Sequence, residues 1–234
     1  MRKSIVVKIG GSILYDHLIN FDFDMLRKVK NWYWDIKASY DTIVLVTGGG
    51  KLSRSIEEKI AGSVSGENSV HNVAMLLTQT NAAIIAGFLE DDDIYIPKKL
   101  GDAYEYLIMD GGKTMVSGGL KVGWSTDMDA AVFADVLEAG RVHKISNIDY
   151  VYNKDPKEFF DARPIKDISW NEYFKMFSVV PGQQHEANSH IPVDVQCSQF
   201  CSRKNISFHI TGGKLLEESE NIADVLNDGT FLHP

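Results

Sequence analysis

Ile43-Val44-Leu45-Val46-Thr47-Gly48-Gly49-Gly50-Lys51 is a short β-branched run closed by three glycines, and its reading sets the fold class. An apolar run of this length cut off by glycine reads as a buried strand. The pattern has a precedent in the same chain, where residues 5–7 lead through Lys8 and Ile9 into Gly10-Gly11-Ser12. Glycine has no Cβ, so the backbone can come close to a ligand and turn its N–H groups outward. Strand, glycine turn and helix together make an anion cradle, because a helix N-terminus favours negative charge. The spacing fits neither the P-loop nor the G-x-G-x-x-G pattern, so either turn alone could be a plain strand exit. Two such turns, flanked by Lys8 and Lys51, point to two phosphates held close together, which is the requirement of phosphoryl transfer.

The 234 residues suffice for one large domain or two intimate lobes. A formal charge of −8 with no basic cluster argues against a nucleic-acid surface. Cys197 and Cys201 fit neither a disulfide framework nor a metal set. On a helix they would share a face as buried free thiols. Met1-Arg2-Lys3 precedes a stretch with four apolar residues in six, short of a signal h-region or a membrane span, so the expectation is a cytoplasmic enzyme.

Helical spacing joins Phe23, Leu26, Val29 and Trp32, and returns over residues 70–89 and 129–139. Strand-like runs recur at 114–116, 142–146 and 207–210. Strands alternating with helices of ten or more residues imply βαβ units and a mainly parallel sheet. Ligands then bind beyond the carboxyl ends of the strands, where both glycine turns lie. Ser169-Trp170-Asn171-Glu172 has capping-box form and should open a small structural helix.

Gly118-Gly119 leads through Leu120-Lys121-Val122-Gly123-Trp124 to Ser125-Thr126-Asp127, whose last three residues are helix N-cap material. The same three could set a hydroxyl and a helix N-terminus against a phosphate, with Asp127 organising charge. Ser146-Asn147-Ile148-Asp149-Tyr150-Val151-Tyr152-Asn153-Lys154-Asp155-Pro156 then runs from a strand end into a polar, proline-stopped loop that could bind a nucleoside. His185, Glu186 and His190 read as a solvated loop, with metal binding as the alternative.

In order and over almost the whole chain, KIGGS, TGGGKLSR, STDMDAAVFADVL, SNIDYVYNKDPK and the terminal DGTFLHP resemble the amino-acid kinase superfamily, in its archaeal-type UMP kinase branch. The resemblance implies a three-layer αβα sandwich around a mainly parallel sheet. It implies one domain over 1–234, with an acceptor-binding lobe over roughly 1–125 and an ATP-binding lobe over 126–234. ATP with Mg²⁺ would be the donor and UMP the acceptor, serving pyrimidine biosynthesis, in a homohexamer or dimer with no nucleic-acid or membrane partner. Gly10, Gly11 and Ser12 would contact the ATP phosphates, with Gly50 and Arg54 beside them and Lys8 neutralising charge. Gly49 would lie on the acceptor side with His71 and the segment Leu120, Lys121, Val122, Gly123, Trp124, Ser125 and Thr126. Asp127 would stand at the transfer site, and Ser146, Asn147, Tyr152 and Asp155 would form the adenosine pocket. No protein side chains would form a dedicated metal site.

The chain departs from the branch in places. His71 stands where relatives carry an Asp for the ribose, and Tyr150 replaces a glycine, which would strain the loop if that position needs positive φ. Of the relatives' D-P-L-A-x-K stretch only Asp194 remains. Leu120, Val122 and Trp124 could line an apolar pocket suited to a less polar acceptor, such as an isopentenyl phosphate-like or furan-type compound. A storage protein holding ATP and oxyanions without turnover is the reading from another class, and residues 185–190 would support it.

Overall fold

In the computed structural model, residues 3–64, 66–109, 113–156, 158–180, 191–219 and 222–234 are described. The two β-branched runs become the central strands, β1 (Ser4–Ile9) and β2 (Thr42–Thr47), and β2 is buried along its whole length. Burial on both faces is the mark of a parallel strand roofed by helices on each side. Between them α1 (Phe23–Lys37) begins where the Asp22 carboxylate accepts from the Met25 amide. After β2 come α2 (Gly50–Ile60), α3 (Glu67–Leu89), β3 (Ile94–Tyr95), α4 (Leu100–Met109) and β4 (Thr114–Ser117). The second half holds α5 (Thr126–Val136), β5 (Arg141–Ser146), β6 (Val151–Tyr152), β7 (Pro164–Ile165), β8 (Asp167–Ser169) and α6 (Trp170–Met176). It closes with α7 (Val195–Lys204), β9 (Ser207–Gly212), α8 (Gly213–Glu218), α9 (Ile222–Asn227) and β10 (Thr230–His233).

Eight strands form one sheet in the order β3-β4-β2-β1-β5-β9-β10-β8, and β6 and β7 pair separately. Every neighbour in the large sheet is parallel except β9 and β10. The period-2 alternation of the strands divides the core in two. Ile5, Val7 and Ile9 face α1 and part of α3, while Val6, Val44 and Val46 face α5, α6 and α7. This is the expected αβα sandwich, and Lys8 lies on the α5 side of it.

The helix expected over 129–139 starts three residues earlier, because the Ser125 hydroxyl accepts from the Met128 amide and caps it. It also ends earlier, where Glu138 and Gly140 turn left-handed at φ 50° and 67°. The Ser169–Glu172 capping box forms and opens α6. Cys197 and Cys201 share the buried face of α7 as free thiols, their sulfurs 4.0 Å apart.

Candidate active site

Because β1, β2, β4, β5 and β9 run the same way, their carboxyl ends and the turns after them gather on one edge of the sheet. The glycine turns after β1 and β2 touch there. A Cβ on Gly11 would stand 2.3 Å from the Gly50 nitrogen, and one on Gly50 would stand 2.1 Å from the Gly11 oxygen. Gly50 also holds φ +66°, so only glycine fits on either side of this crossing. The turns are pinned as well as packed. The Gly10 amide donates to the Ile145 carbonyl at 2.7 Å and the Gly48 amide to the Ile9 carbonyl at 3.1 Å. From α3, the buried Asn81 amide donates to the Gly48 carbonyl at 2.8 Å, and its own oxygen accepts from the Tyr15 hydroxyl.

Beneath the crossing sits a buried charge centre. Lys8 and Lys144 are register partners on β1 and β5, so both project to the same face of the sheet. Neighbouring ammoniums repel, and the carboxylate of Asp127 at the start of α5 lies between them. Lys8 Nζ is 3.1 Å from Asp127 Oδ1, and Lys144 Nζ donates to Asp127 Oδ2 and to the Pro192 carbonyl. All three side chains are buried. Burial pushes the Asp127 carboxyl upward, but the Lys144 and Lys8 charges overcome that and hold it below its ordinary value. Burial drags the Lys8 ammonium below its ordinary value, and the like charge of Lys144 adds to this against the pull of Asp127. The arrangement stores one surplus positive charge beside a glycine cradle, which suits a phosphoryl group.

Thr126, the first residue of α5, lies close to Gly48, its Oγ1 3.5 Å from where a Cβ there would be. Ser125 caps α5 and also donates to the Asp194 carboxylate, whose other oxygen caps α7 by accepting from the Cys197 amide at 3.0 Å. Lys121 Nζ lies 4.1 Å over the Trp124 ring, and Val122 and Gly123 are exposed on the same loop. Leu120 is buried and belongs, with Met128, to the core on the α5 side of the sheet, against which the half-buried Trp124 packs. Lys51 donates to the Asp16 carbonyl at 3.0 Å.

Gly10, Gly11 and Ser12 form the first turn, Gly49 and Gly50 the second, and Arg54 is exposed on α2 one turn further on. His71 is half-buried in the first turns of α3. Ser146 is buried at the end of β5 with its Oγ 3.4 Å from Asn147 Oδ1, Tyr152 pairs in the small ribbon, and Asp155 starts the turn after it. Tyr150 adopts negative φ and is unstrained; its hydroxyl donates to Asp228 at 2.8 Å. His185, Glu186 and His190 lie outside the described residues. Among the described residues no three His, Cys, Asp or Glu side chains converge on a metal position.

Three residues of this edge escape the sequence reading. Lys144 carries a signal in hindsight, since a lysine one position before Ile145 breaks an apolar run at the point that pairs with Lys8. Asp194 is legible as the N-cap of α7 but not as the partner of Ser125. Nothing in the spacing of α3 marks Asn81 as the pin of the second turn.

A family model described as the amino acid kinase family matches residues 3–212. A uridylate kinase of Methanobrevibacter smithii is 28% identical over 224 residues, covering 95% of this chain and 94% of that one. One of Methanosarcina acetivorans is 30% identical over 200 residues, covering 85% and 82%. The crystal structure of uridylate kinase from Archaeoglobus fulgidus superposes with a TM-score of 0.76 at 19% identity, covering 97% of this chain and all of that one, a likeness of fold.

Proposed function

The chain belongs to the amino acid kinase family, and on that premise we propose that it transfers the γ-phosphoryl group of ATP to UMP, giving UDP and ADP. The observation that carries this is the Lys8–Asp127–Lys144 centre beneath two glycine turns in contact, at the carboxyl edge of a parallel sheet. Phosphoryl transfer is catalysed by positioning and by neutralising spread negative charge rather than by covalent chemistry. Lys8 and Lys144 supply buried positive charge, the turns bring donor and acceptor phosphates together, and Asp127 orients both ammoniums. The acceptor phosphate is ionised near neutral pH, so no strong general base is needed. Mg²⁺ arriving with ATP would supply further neutralisation of phosphate charge, beside an Asp127 carboxylate that is paired with two lysines.

Donor contacts fall to Gly10, Gly11, Ser12, Gly50 and Arg54, and the adenosine to Ser146, Asn147, Tyr152 and Asp155. On the acceptor side stand Gly49, Thr126 and the loop from Leu120 to Ser125, with His71 hydrogen-bonding a ribose hydroxyl in place of a carboxylate. The lobes divide near residue 125. Two free buried thiols accord with a reducing compartment, the cytoplasm.

We also propose a homo-oligomer. The helix α3 is long and apolar enough to cross a membrane by length and composition alone, yet Ala82, Ile85, Ala86 and Leu89 bury one side of it in the core. Its outward face repeats at helical spacing through Val73, Leu76, Thr80, Ala83 and Gly87, with no Asp, Glu, Lys or Arg from 68 to 89. Small residues in such a stripe admit a second copy of the same helix. Leu76→Asp should lower the mass seen by sedimentation; an unchanged oligomer would remove α3 from the interface.

The function is tested by ADP release from Mg-ATP with UMP, CMP, dUMP, isopentenyl phosphate and acidic amino acids offered singly. Strong stimulation by UMP is expected. Turnover with another acceptor and silence with UMP would overturn the substrate and leave the family in place.

A further inference from the structure

One turn of α3 lies between the second glycine turn and the start of the loop that follows β4. The chain leaving β4 passes directly over this helix. A Cβ on Gly118 would overlap the Thr78 carbonyl and the Gln79 amide nitrogen, so only glycine lets the two backbones meet. The next residue is tied through both its backbone groups. The Gly119 amide donates to Thr78 Oγ1 at 2.6 Å, and the Gly119 carbonyl accepts from Gln79 Nε2 at 3.0 Å.

The other branch of Thr78 faces the second turn, its Cγ2 3.5 Å from where a Cβ on Gly49 would stand. Three residues on, and so on the same side of the helix, Asn81 donates to the Gly48 carbonyl at 2.8 Å. Thr78 is buried, and its hydroxyl donates to the Met75 carbonyl at 2.6 Å while it accepts from Gly119. A β-branched side chain has few χ1 settings, and this pair of bonds holds one of them. Thr78 is thus a rigid spacer between turn and loop, and neither Gly49 nor Gly119 has a side chain of its own at the contact.

We propose that Thr78 is a positioning residue, setting the distance between the second glycine turn and the loop that takes the acceptor. This rests on the acceptor side as assigned above, but not on UMP being the acceptor. Thr78 acts through the Gly119 backbone and not on the substrate itself. The placement matters because a displacement of about 1 Å can cost phosphoryl transfer some 100-fold.

The test measures KM for ATP and for the acceptor in the wild type, Thr78→Val, Thr78→Ser and Gln79→Ala, using UMP or whichever acceptor drives ADP release. Thr78→Val keeps the shape of the spacer and leaves the Gly119 amide buried without its acceptor. It should raise the acceptor KM by about tenfold, the effect of one buried donor left unpaired, with the KM for ATP unchanged. Thr78→Ser keeps the hydroxyl, and its acceptor KM should stay close to that of the wild type. Gln79 is half-buried, so Gln79→Ala loosens the same loop at little risk to the fold and should raise the acceptor KM in the same sense. A merely structural loss would reduce the amount of active enzyme and leave both KM values where they were. That result in Thr78→Val, or an equal rise in both, would overturn the role of Thr78 while the acceptor reading stands. A wild type silent with UMP and active with another acceptor would overturn the UMP reading alone.

Discussion

Lys8→Ala is expected to lower kcat by about 100- to 1,000-fold, the range seen when one preorganised donor to transition-state charge is removed. The substitution takes a buried ammonium from a centre that has only two, and leaves Lys144 bound to Asp127 with the charges balanced. The fold should survive, because the removed cation is one that burial already disfavours. The pH profile carries the sign. Lys8 must be protonated to act, and its ammonium is held below the ordinary lysine range, so wild-type kcat should fall at an alkaline pH lower than a free lysine would give. In the variant that limb should disappear. Single-turnover rates with saturating Mg-ATP and acceptor measure the effect, and near-normal turnover would remove Lys8 from the mechanism.

What the sequence made legible was local. The runs ending at Thr47 and Ile9 fold as central strands because β-branched residues closed by glycine have few other stable settings, and the Ser125 and Ser169 caps act within three residues of themselves. What it hid depends on register and on side-chain reach. Lys144 becomes a partner of Lys8 only once β1 and β5 pair in parallel with those two residues opposite each other. Lys51 flanks a glycine turn in sequence, yet its ammonium donates to the carbonyl of Asp16, 35 residues earlier in the chain. Leu120 sits in a loop of ligand-like composition, but the chain there dips into the core before Lys121 returns to solvent. The antiparallel entry of β10 beside β9 could not be read either, since a four-residue strand carries no mark of direction.

Asp127→Ala is expected to be the most damaging single change, in stability as well as rate. It leaves two buried lysines facing each other with their shared counter-ion gone, and breaking a buried ion pair by removing one side costs on the order of 3–5 kcal/mol. For a chain of this size that is a fall in melting temperature of about 10 °C. The wild-type contribution has a defined pH window. The folded carboxyl is held below its ordinary value, so its stabilisation is present above the unfolded carboxylate range near pH 4 and is lost as pH falls through the lowered folded value. The variant should therefore lose part of the acid limb of its stability curve. A second substitution separates charge from packing. Asp127→Ala with Lys144→Met removes one of the stranded cations together with the carboxylate, so the melting temperature should recover while the rate stays low. Recovery of both would make Asp127 a purely structural counter-ion. A melting temperature as low in the double variant as in the single one would mean that the loss came from the start of α5 itself and not from the lysines it holds.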